Sequence, residues 1–401
     1  MKKQNLILII FLLNFSYLYA QVSIKGKVSD SKTDNPIIEA LVFINGTTMS
    51  ALTDNDGNFK ITGKILFPAE VIVNFLGYTP TTKTIYNSTE FLNFKIDLKA
   101  FTLSEVKVSG NRENLLKEFK KSFFGKDKWA KKAIIKNDEV IFFQYKSEDT
   151  IIKEPFKDKA INKGGIIDAF NTSRNDQIAK DSVEVKTQVN HLSAFSEEPI
   201  KVELSELGYE LQINLIYFYT YFYNETRATK FKGFFFFKPL EGISEKNLIK
   251  IKKNRELVYY NSPQHFIKSL YYNKLSENGY GIYEENKNNN TYTEVYIPQY
   301  LRSHIENKKE IRGLQGKEFI ILYYHDKEGK PIDITKGAKP ILYNESHVKF
   351  SSNSIKILPT GTSPDLDKII FSGDISEKLV ATMLPDDYEI GLVNKEDSKR
   401  K

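Results

Sequence analysis

The chain has 401 residues, and its 40% hydrophobic and 27% charged residues fit a soluble globular protein of two or three domains. It has no cysteine, which excludes disulfide bonds and a lipid attached to a cysteine. The formal net charge is +7, but lysines and acidic residues are interspersed along almost the whole chain, so the pattern does not indicate a nucleic-acid-binding protein.

The first 20 residues have the layout of a secretory signal peptide. Lys2 and Lys3 precede the unbroken apolar run Leu6–Leu13, and a polar strand begins after Ala20. We therefore expect residues 1–20 to be removed and the protein to be exported to the periplasm, the outer membrane or the cell surface. The alternative is an uncleaved anchor. Because the apolar run is shorter than the roughly 20 residues of a membrane span, we expect no transmembrane span in the mature chain.

Residues 21–100 have the alternation of a small β domain. Val22, Ile24 and Val28 share one face of a predicted strand, and every second residue from position 92 to position 98 is apolar. Turn signals such as Asn-Pro and Asn-Gly separate several short strands of this kind, with no helical period between them. The pattern predicts a β-sandwich.

The order of short motifs in this region resembles that of a known family. The motifs are Gly26-Lys27-Val28, Asn35-Pro36, Asn45-Gly46-Thr47-Thr48, Thr53-Asp54-Asn55-Asp56-Gly57-Asn58-Phe59 and Phe75-Leu76-Gly77-Tyr78. They resemble the carboxypeptidase regulatory-like domain, a module of secreted Bacteroidetes proteins. The resemblance implies a prealbumin/Ig-like β-sandwich of about seven strands. Residues 103–108 resemble the segment that follows this module in TonB-dependent outer-membrane receptors, and we place a linker at residues 101–111.

The resemblance does not imply peptidase activity, because in metallocarboxypeptidases this module lies beside the catalytic domain and does no chemistry. The chain has no HExxH zinc motif, and we predict neither a zinc site nor any other metal site. Asp54 to Asn58 resemble the start of a calcium loop. However, the twelfth position of such a loop would be Ile65 instead of a bidentate glutamate, so we predict a turn between two strands.

Residues 112–390 predict a larger, β-rich α+β domain, which makes the whole chain mainly β. Leu116, Phe119 and Phe123 recur at helical spacing, and Ser262-Pro263 is a typical helix start. Alternating or aromatic runs predict strands at 140–145, 209–223, 234–237, 292–297 and 319–324. Residues 146–187 are polar with little periodicity and predict an insert, residues 376–384 predict a last short helix, and residues 391–401 form a charged tail.

This second region also resembles a family, namely carboxypeptidase-regulatory-like proteins that lack a receptor barrel. The pieces that carry the resemblance are Glu198-Pro199, Leu207-Gly208-Tyr209, Lys253-Asn254-Arg255, Tyr260-x-Ser262-x-x-His265-Phe266-x-x-Ser269-Leu270 and Met383-Leu384-Pro385-x-x-Tyr388. The biochemical role of that family is not established. The resemblance therefore implies architecture and an envelope location, but no activity.

His265, Arg255 and Tyr260 form the first candidate binding group. His265 lies in the first turn of its predicted helix, where free backbone N–H groups favour a binding or acid–base site. The alternative is a histidine that only helps to cap its helix.

Tyr217, Tyr219 and Tyr221 form the second candidate binding group, because they share one face of an aromatic strand. Exposed tyrosines would contact a sugar or a protein, whereas buried ones would pack against neighbouring strands.

From these observations we predict no catalytic residue, no cofactor and no nucleic-acid partner. We expect a non-catalytic binding or scaffolding protein of the cell envelope with a protein or glycan partner, peripherally associated with the outer membrane. Two alternatives stay open. One is a hydrolase-type enzyme with a site around His265, and the other is an accessory protein to a TonB-dependent outer-membrane transporter.

Overall fold

The computed structural model describes residues 22–99, 111–155, 182–223, 226–286, 291–303, 307–337 and 342–390. The predicted signal peptide, the charged tail and all of the predicted linker except Asn111 lie outside these residues. The chain divides into two compact units. The first takes in the described residues up to Ile44 together with Met49–Lys99, and the second takes in Asn45–Thr48 and the described residues after Lys99.

The first unit is a sandwich of seven strands. They are β1 (Val22–Asp30), β2 (Leu41–Ile44), β3 (Ser50–Leu52), β4 (Asn58–Gly63), β5 (Ala69–Asn74), β6 (Thr81–Ile85) and β7 (Phe91–Ile96). One sheet has the order β4-β1-β7, in which β1 and β7 are parallel, and the other has the order β3-β2-β5-β6. The predicted seven-stranded β-sandwich is confirmed.

The alternating residues of these strands supply the core of the first unit. Val28, Val42, Val73 and Leu92 are fully buried, in an apolar cluster to which both sheets contribute. The neighbours of Leu92 in sequence, Phe91 and Asn93, are exposed, as expected for a strand that is buried on one face only. In β2 and β5, by contrast, Phe43 beside Val42 and Ile72 beside Val73 are buried as well.

The second unit is larger and also rich in strands. Its helices are α1 (Arg112–Phe123), α2 (Glu245–Tyr259) and α3 (Pro263–Tyr271). Its first strands are β8 (Ile134–Ile135), β9 (Ile141–Pro155), β10 (Ser182–Ser196), β11 (Ile200–Leu204), β12 (Tyr209–Tyr223) and β13 (Thr226–Pro239). The remaining strands are β14 (Tyr280–Asn286), β15 (Thr291–Glu294), β16 (Leu301–Ser303), β17 (Lys309–Arg312), β18 (Glu318–Tyr324), β19 (Tyr343–Phe350), β20 (Ser354–Ile357) and β21 (Ile369–Gly373). The mainly β fold class is confirmed.

Strands β8 to β13 form one sheet with α1 packed on it. Its order is β8-β11-β12-β10-β9, and β13 pairs with the other edge of β12. The ring of Phe119 in α1 lies 4.8 Å from that of Phe218 and 5.8 Å from that of Phe143. Asn111 caps the helix by accepting from the backbone N–H of Glu113. The apolar spacing of α1 thus predicts its buried face correctly.

A second core of this unit lies around α3. Two further sheets surround it, with the orders β15-β14-β18-β19-β21 and β16-β17-β20. Ser262 caps α3 through the N–H of His265, and Pro263 occupies its first turn, as predicted. Phe266, Ile267 and Leu270 are buried in this core.

Three sequence predictions for this unit need correction. Residues 146–155 and 182–187 continue the long antiparallel pair β9–β10 instead of forming an irregular insert, while residues 156–181 lie outside the described part. The predicted last helix at 376–384 is instead a pair of short 3₁₀ turns, Asp374–Glu377 and Val380–Thr382. The strand predicted at 292–297 ends at Glu294, because Pro298 helps to form a 3₁₀ turn.

The sequence interpretation also misses a helix, α2. Its inner positions Ile251, Asn254, Arg255 and Val258 follow the helical period, but two of the four are polar. Among the described residues, no helix is both long enough and apolar enough to cross a bilayer.

Candidate functional site

A β-bulge in β12 turns the candidate tyrosines away from the core. Before the bulge the odd-numbered residues are buried, from Tyr209 to Leu215. The register with β13 shifts between Leu215 and Tyr217, and beyond it the even-numbered Phe218 and Thr220 are the buried ones. An uninterrupted strand would have buried every odd tyrosine, since side chains alternate with a period of two.

Tyr217, Tyr219 and Tyr221 form a row on the outer face of this sheet. The rings of Tyr217 and Tyr219 are nearly parallel with their centres 5.6 Å apart, and Tyr221 meets Tyr219 edge to face at 6.2 Å. Tyr217 is 36% exposed. Partial burial, with the phenol of Tyr219 nearby, raises the pKa of Tyr217 above its usual value of 10. The structure therefore brings the three predicted tyrosines together in an accessible row.

Neighbouring strands extend this face on both sides of the row. The His191 ring on β10 lies 4.4 Å from that of Tyr221, and its Nε2 lies 3.6 Å from the Glu148 carboxylate on β9. Phe142 and Phe195 stack at 5.4 Å on the same strands, and Lys230 lies opposite Tyr219 on β13. We call these residues, together with Tyr217, Tyr219 and Tyr221, the tyrosine face.

Arg255 joins α2 to the turn between β11 and β12. Its Nε donates to the backbone carbonyl of Leu207 at 2.8 Å, and its guanidinium lies 4.1 Å from the centre of the Tyr209 ring. Asn254 beside it donates to the carbonyl of Glu206 at 2.9 Å. Two sequence pieces of the resemblance, Leu207-Gly208-Tyr209 and Lys253-Asn254-Arg255, are therefore one structural contact.

His265 is enclosed by aromatic rings at the start of α3. It is 3% exposed, and the rings of Tyr259, Tyr260 and Tyr280 lie 4.9, 5.6 and 5.2 Å from its own. Its Nδ1 lies 3.3 Å from the backbone N–H of Asn261 and 2.9 Å from the hydroxyl of Tyr280. Because a backbone N–H can only donate, Nδ1 is the acceptor and the neutral ring carries its proton on Nε2.

Burial lowers the pKa of His265 to about 3. Its imidazole is therefore neutral at physiological pH and does not take up a proton there. His265 and Tyr260 lie in contact, whereas Arg255 contacts Leu207 and Tyr209. Within the described ranges, no group of three histidine and acidic side chains is arranged to hold a metal ion.

One His-x-x-Glu spacing, His325 to Glu328, is present in the chain and is missed by the sequence interpretation. Its imidazole is held by other groups. Nδ1 lies 2.7 Å from the carbonyl of Asp326 and Nε2 lies 2.7 Å from Oδ1 of Asn344. The backbone N–H of Glu328 donates to the Asp326 carboxylate within the same turn. This pair therefore belongs to a turn and forms no metal-binding arrangement with the described residues.

Glu206 is a charged centre that the sequence interpretation also misses. Its carboxylate accepts from Lys132 at 2.8 Å and from Lys250 at 3.0 Å. These two ammonium groups lower the pKa of Glu206 to about 2. No sequence spacing reveals this centre, because Lys132, Glu206 and Lys250 lie far apart along the chain.

Comparison with known families concerns the first unit. Residues 24–108 match the CarboxypepD_reg-like domain. The first unit is a CarboxypepD_reg-like domain. This confirms the resemblance identified from the motifs of that region.

The chain also shares a short segment with a curated protein. It is 42% identical over 60 residues to the TonB-dependent receptor SusC of Bacteroides thetaiotaomicron. That segment covers 15% of this chain and 6% of the receptor, so the chain spans only a small fraction of the length of this relative.

The motif residues of the CarboxypepD_reg-like domain hold its turns. The Asp54 carboxylate accepts from the backbone N–H of Asp56 at 3.0 Å and of Asn58 at 2.8 Å, as predicted for a turn. The Tyr78 hydroxyl donates to the carboxylate of Asp30 at 2.8 Å. Backbone N–H groups of Thr33 and Lys32 and this hydroxyl lower the pKa of Asp30 to about 2. Asp54 and Tyr78, two residues of these motifs, therefore have structural contacts.

Proposed function

We propose that the protein is a non-catalytic binding protein of the cell envelope, and that it holds a protein partner on its tyrosine face. The observation that carries the proposal is the bulge after Leu215, which presents Tyr217, Tyr219 and Tyr221 on the outer face of the sheet. Tyrosines combine a large apolar ring with a polar tip, and they are enriched where proteins bind one another.

The packing of the rings favours a protein over a glycan. Stacking on a sugar needs an open ring face, whereas Tyr217 and Tyr219 lie nearly parallel and Tyr221 contacts His191. Phe142, Phe195 and Lys230 widen the face across four strands, which suits a broad and mixed contact.

The surroundings of His265 support the non-catalytic part of the proposal. A general base works best with a pKa near the working pH, whereas that of His265 is about 3. The purified chain is therefore expected to hydrolyse model esters, peptides and glycosides no faster than the buffer does. Turnover that disappears in the His265→Asn variant would favour the hydrolase alternative.

Site-specific photo-crosslinking tests the proposed partner. A photoreactive phenylalanine analogue replaces Tyr219 in the chain produced at native level in its own cells. We expect ultraviolet light to join it to a protein, giving a discrete product of higher mass. The matched control carries the same analogue at Tyr292, an exposed tyrosine on β15, and should give no such product.

Equal products from the two positions, or none from position 219, would contradict a protein partner on the tyrosine face. Retention of the wild-type chain on envelope polysaccharide, lost when Tyr217 and Tyr219 are replaced by serine, would point to a glycan instead.

A second candidate function is that of an accessory protein to a TonB-dependent outer-membrane transporter. The segment that is 42% identical to the TonB-dependent receptor SusC over 60 residues supports it. Gentle detergent extraction of the tagged chain should then co-purify such a transporter. Recovery of the chain alone would count against this function while leaving the tyrosine face open to another partner.

A further inference from the structure

Residues 126–132 form an exposed basic segment around the single tryptophan of the chain. The segment holds four lysines against one aspartate, and all four lysines are exposed. Trp129 is half-buried between them, with the ammonium group of Lys128 4.9 Å from the centre of its ring. The chain therefore presents an indole ring next to several positive charges.

The outer face of α2 has the same chemistry. Lys246, Lys250 and Lys253 recur along one side of this helix and are exposed. Ile249 projects from the middle of them and is 69% exposed.

Glu206 joins these two elements into one surface. Lys132 from the basic segment and Lys250 from α2 both bind its carboxylate. By contrast, Lys131, Lys246 and Lys253 form no ion pair with another described residue. The surface therefore keeps a positive charge after its internal pairing, although the net charge of the whole chain is only +7. We call residues 126–132 and the outer face of α2 the basic surface.

We propose that the basic surface binds the anionic headgroups of a lipid bilayer. Charge complementarity supplies long-range attraction, since each lysine held near an anionic membrane adds to the binding. Ile249 supplies the apolar contact, because an aliphatic side chain flanked by lysines is typical of an element that lies in the membrane interface. Trp129 would then lie at headgroup depth, where indole rings are favoured.

This inference goes beyond the proposed partner binding, because it concerns a loop and a helix instead of the strands of the tyrosine face, and another side-chain chemistry. The basic surface and the tyrosine face have no residue in common. A negative result for lipid binding therefore does not contradict partner binding on the tyrosine face, and the reverse also holds.

Vesicle binding tests the proposal with the chain that lacks residues 1–20. One set of vesicles is phosphatidylcholine, and the other is an equal mixture of phosphatidylcholine and phosphatidylglycerol. We expect the chain to sediment with the mixed vesicles only, and the Trp129 emission to move to shorter wavelength. Raising NaCl from about 0.1 M to about 1 M should release it, since the Debye length falls from about 10 Å to about 3 Å.

Two variants of the surface make the test specific. Lys246→Glu combined with Lys253→Glu should weaken vesicle binding at least about tenfold. Ile249→Gln should weaken it less and abolish most of the Trp129 shift. The control is Lys25→Glu with Lys60→Glu, an exposed cross-strand pair in the first unit that changes the net charge equally. Circular dichroism verifies that each variant is folded.

Three results would overturn the proposal. Equal binding to both kinds of vesicle would remove the electrostatic basis, and equal weakening by the control variant would remove the assignment to this surface. A Trp129 shift produced in full by inorganic phosphate alone would indicate a small-anion site instead of a lipid surface.

Discussion

At the scale of single residues, His265 has a structural role as a buried hydrogen-bond acceptor. Its Nδ1 satisfies the backbone N–H of Asn261, a residue held at a φ of 54°, and the Tyr280 hydroxyl shares the same nitrogen. A side chain with an acceptor at this position is needed, because an unsatisfied buried N–H costs about 1–3 kcal/mol. A protonated imidazole would lose that acceptor.

The stability of the second unit should therefore depend on pH through His265. The pKa of this group is about 3 in the folded chain and about 6.5 when it is solvated. Between these two pH values the unfolded chain binds a proton at His265 that the folded chain does not bind, so the free energy of unfolding falls as the pH falls. The contribution is about 2 kcal/mol between pH 7 and pH 5.

The His265→Asn variant isolates this effect. Asparagine offers an oxygen acceptor to Asn261 but does not titrate, so the difference in unfolding free energy between pH 7 and pH 5 should shrink by about 2 kcal/mol. Urea unfolding followed by the emission of Trp129 measures it, since this tryptophan packs on a core of the same unit. An unchanged difference would show that His265 is solvated or already charged.

At the scale of elements, polar contacts fix α2 where apolar ones are few. Asn254 and Arg255 occupy buried positions and bind the backbone of Glu206 and Leu207 in the turn between β11 and β12. Gly208 lets this turn approach the helix closely. A Cβ added to it would lie 3.1 Å from Nη2 of Arg255 and 3.1 Å from Cδ1 of Ile251.

Gly208→Ala should therefore destabilise the second unit more than the same exchange at Gly242. Both glycines have a φ of +70°, but Gly242 has no atom within 4 Å of an added Cβ. The left-handed backbone alone costs an alanine about 1 kcal/mol at either position. We expect crowding to add about 1–3 kcal/mol at Gly208 only. Chemical unfolding of the two variants measures the difference, and equal values would mean that the helix and turn separate easily.

The same element shows where sequence patterns fail. The helical period of α2 is hidden because its inward side chains Asn254 and Arg255 are polar and its outward Ile249 is apolar. The two polar residues are inward because they bind the turn between β11 and β12, and this turn lies about 50 residues away along the chain. The bulge in β12 cannot be predicted from the sequence for a related reason. In a run of aromatic residues, apolar and polar side chains do not alternate, so the sequence pattern does not show where the register shifts.

At the scale of the whole molecule, the two units differ in how far the sequence predicts them. The CarboxypepD_reg-like domain has short strands with turn residues between them, so local rules predict a β-sandwich, whereas its count of seven strands is implied by the family resemblance. In the second unit the presence of a β-rich fold, α1 and α3 is predicted. The pairing of β9 with β10 is not, because their ladder extends through polar residues that give no alternation. The tyrosine row is identified as a candidate, yet its exposure depends on the bulge.

The core of the CarboxypepD_reg-like domain predicts that this domain folds on its own. Every residue of that core lies between Ile24 and Ile96, and both sheets contribute to it. We therefore expect residues 21–100, produced alone, to unfold cooperatively on heating and to give a dispersed amide NMR spectrum. A domain of this size keeps only a few kcal/mol of stability, because a small chain buries a limited share of its surface.

Because the isolated fragment is expected to have little stability, a destabilising core substitution is the control for this last prediction. Phe94 is 1% exposed, and truncating it to alanine removes about 3–5 kcal/mol. The Phe94→Ala fragment should therefore be largely unfolded under conditions in which the parent fragment is folded. If the parent fragment is itself unfolded, its seven strands depend on the rest of the chain, and the apolar core between Ile24 and Ile96 is insufficient. If both fragments are folded, the margin is wider than the buried core implies.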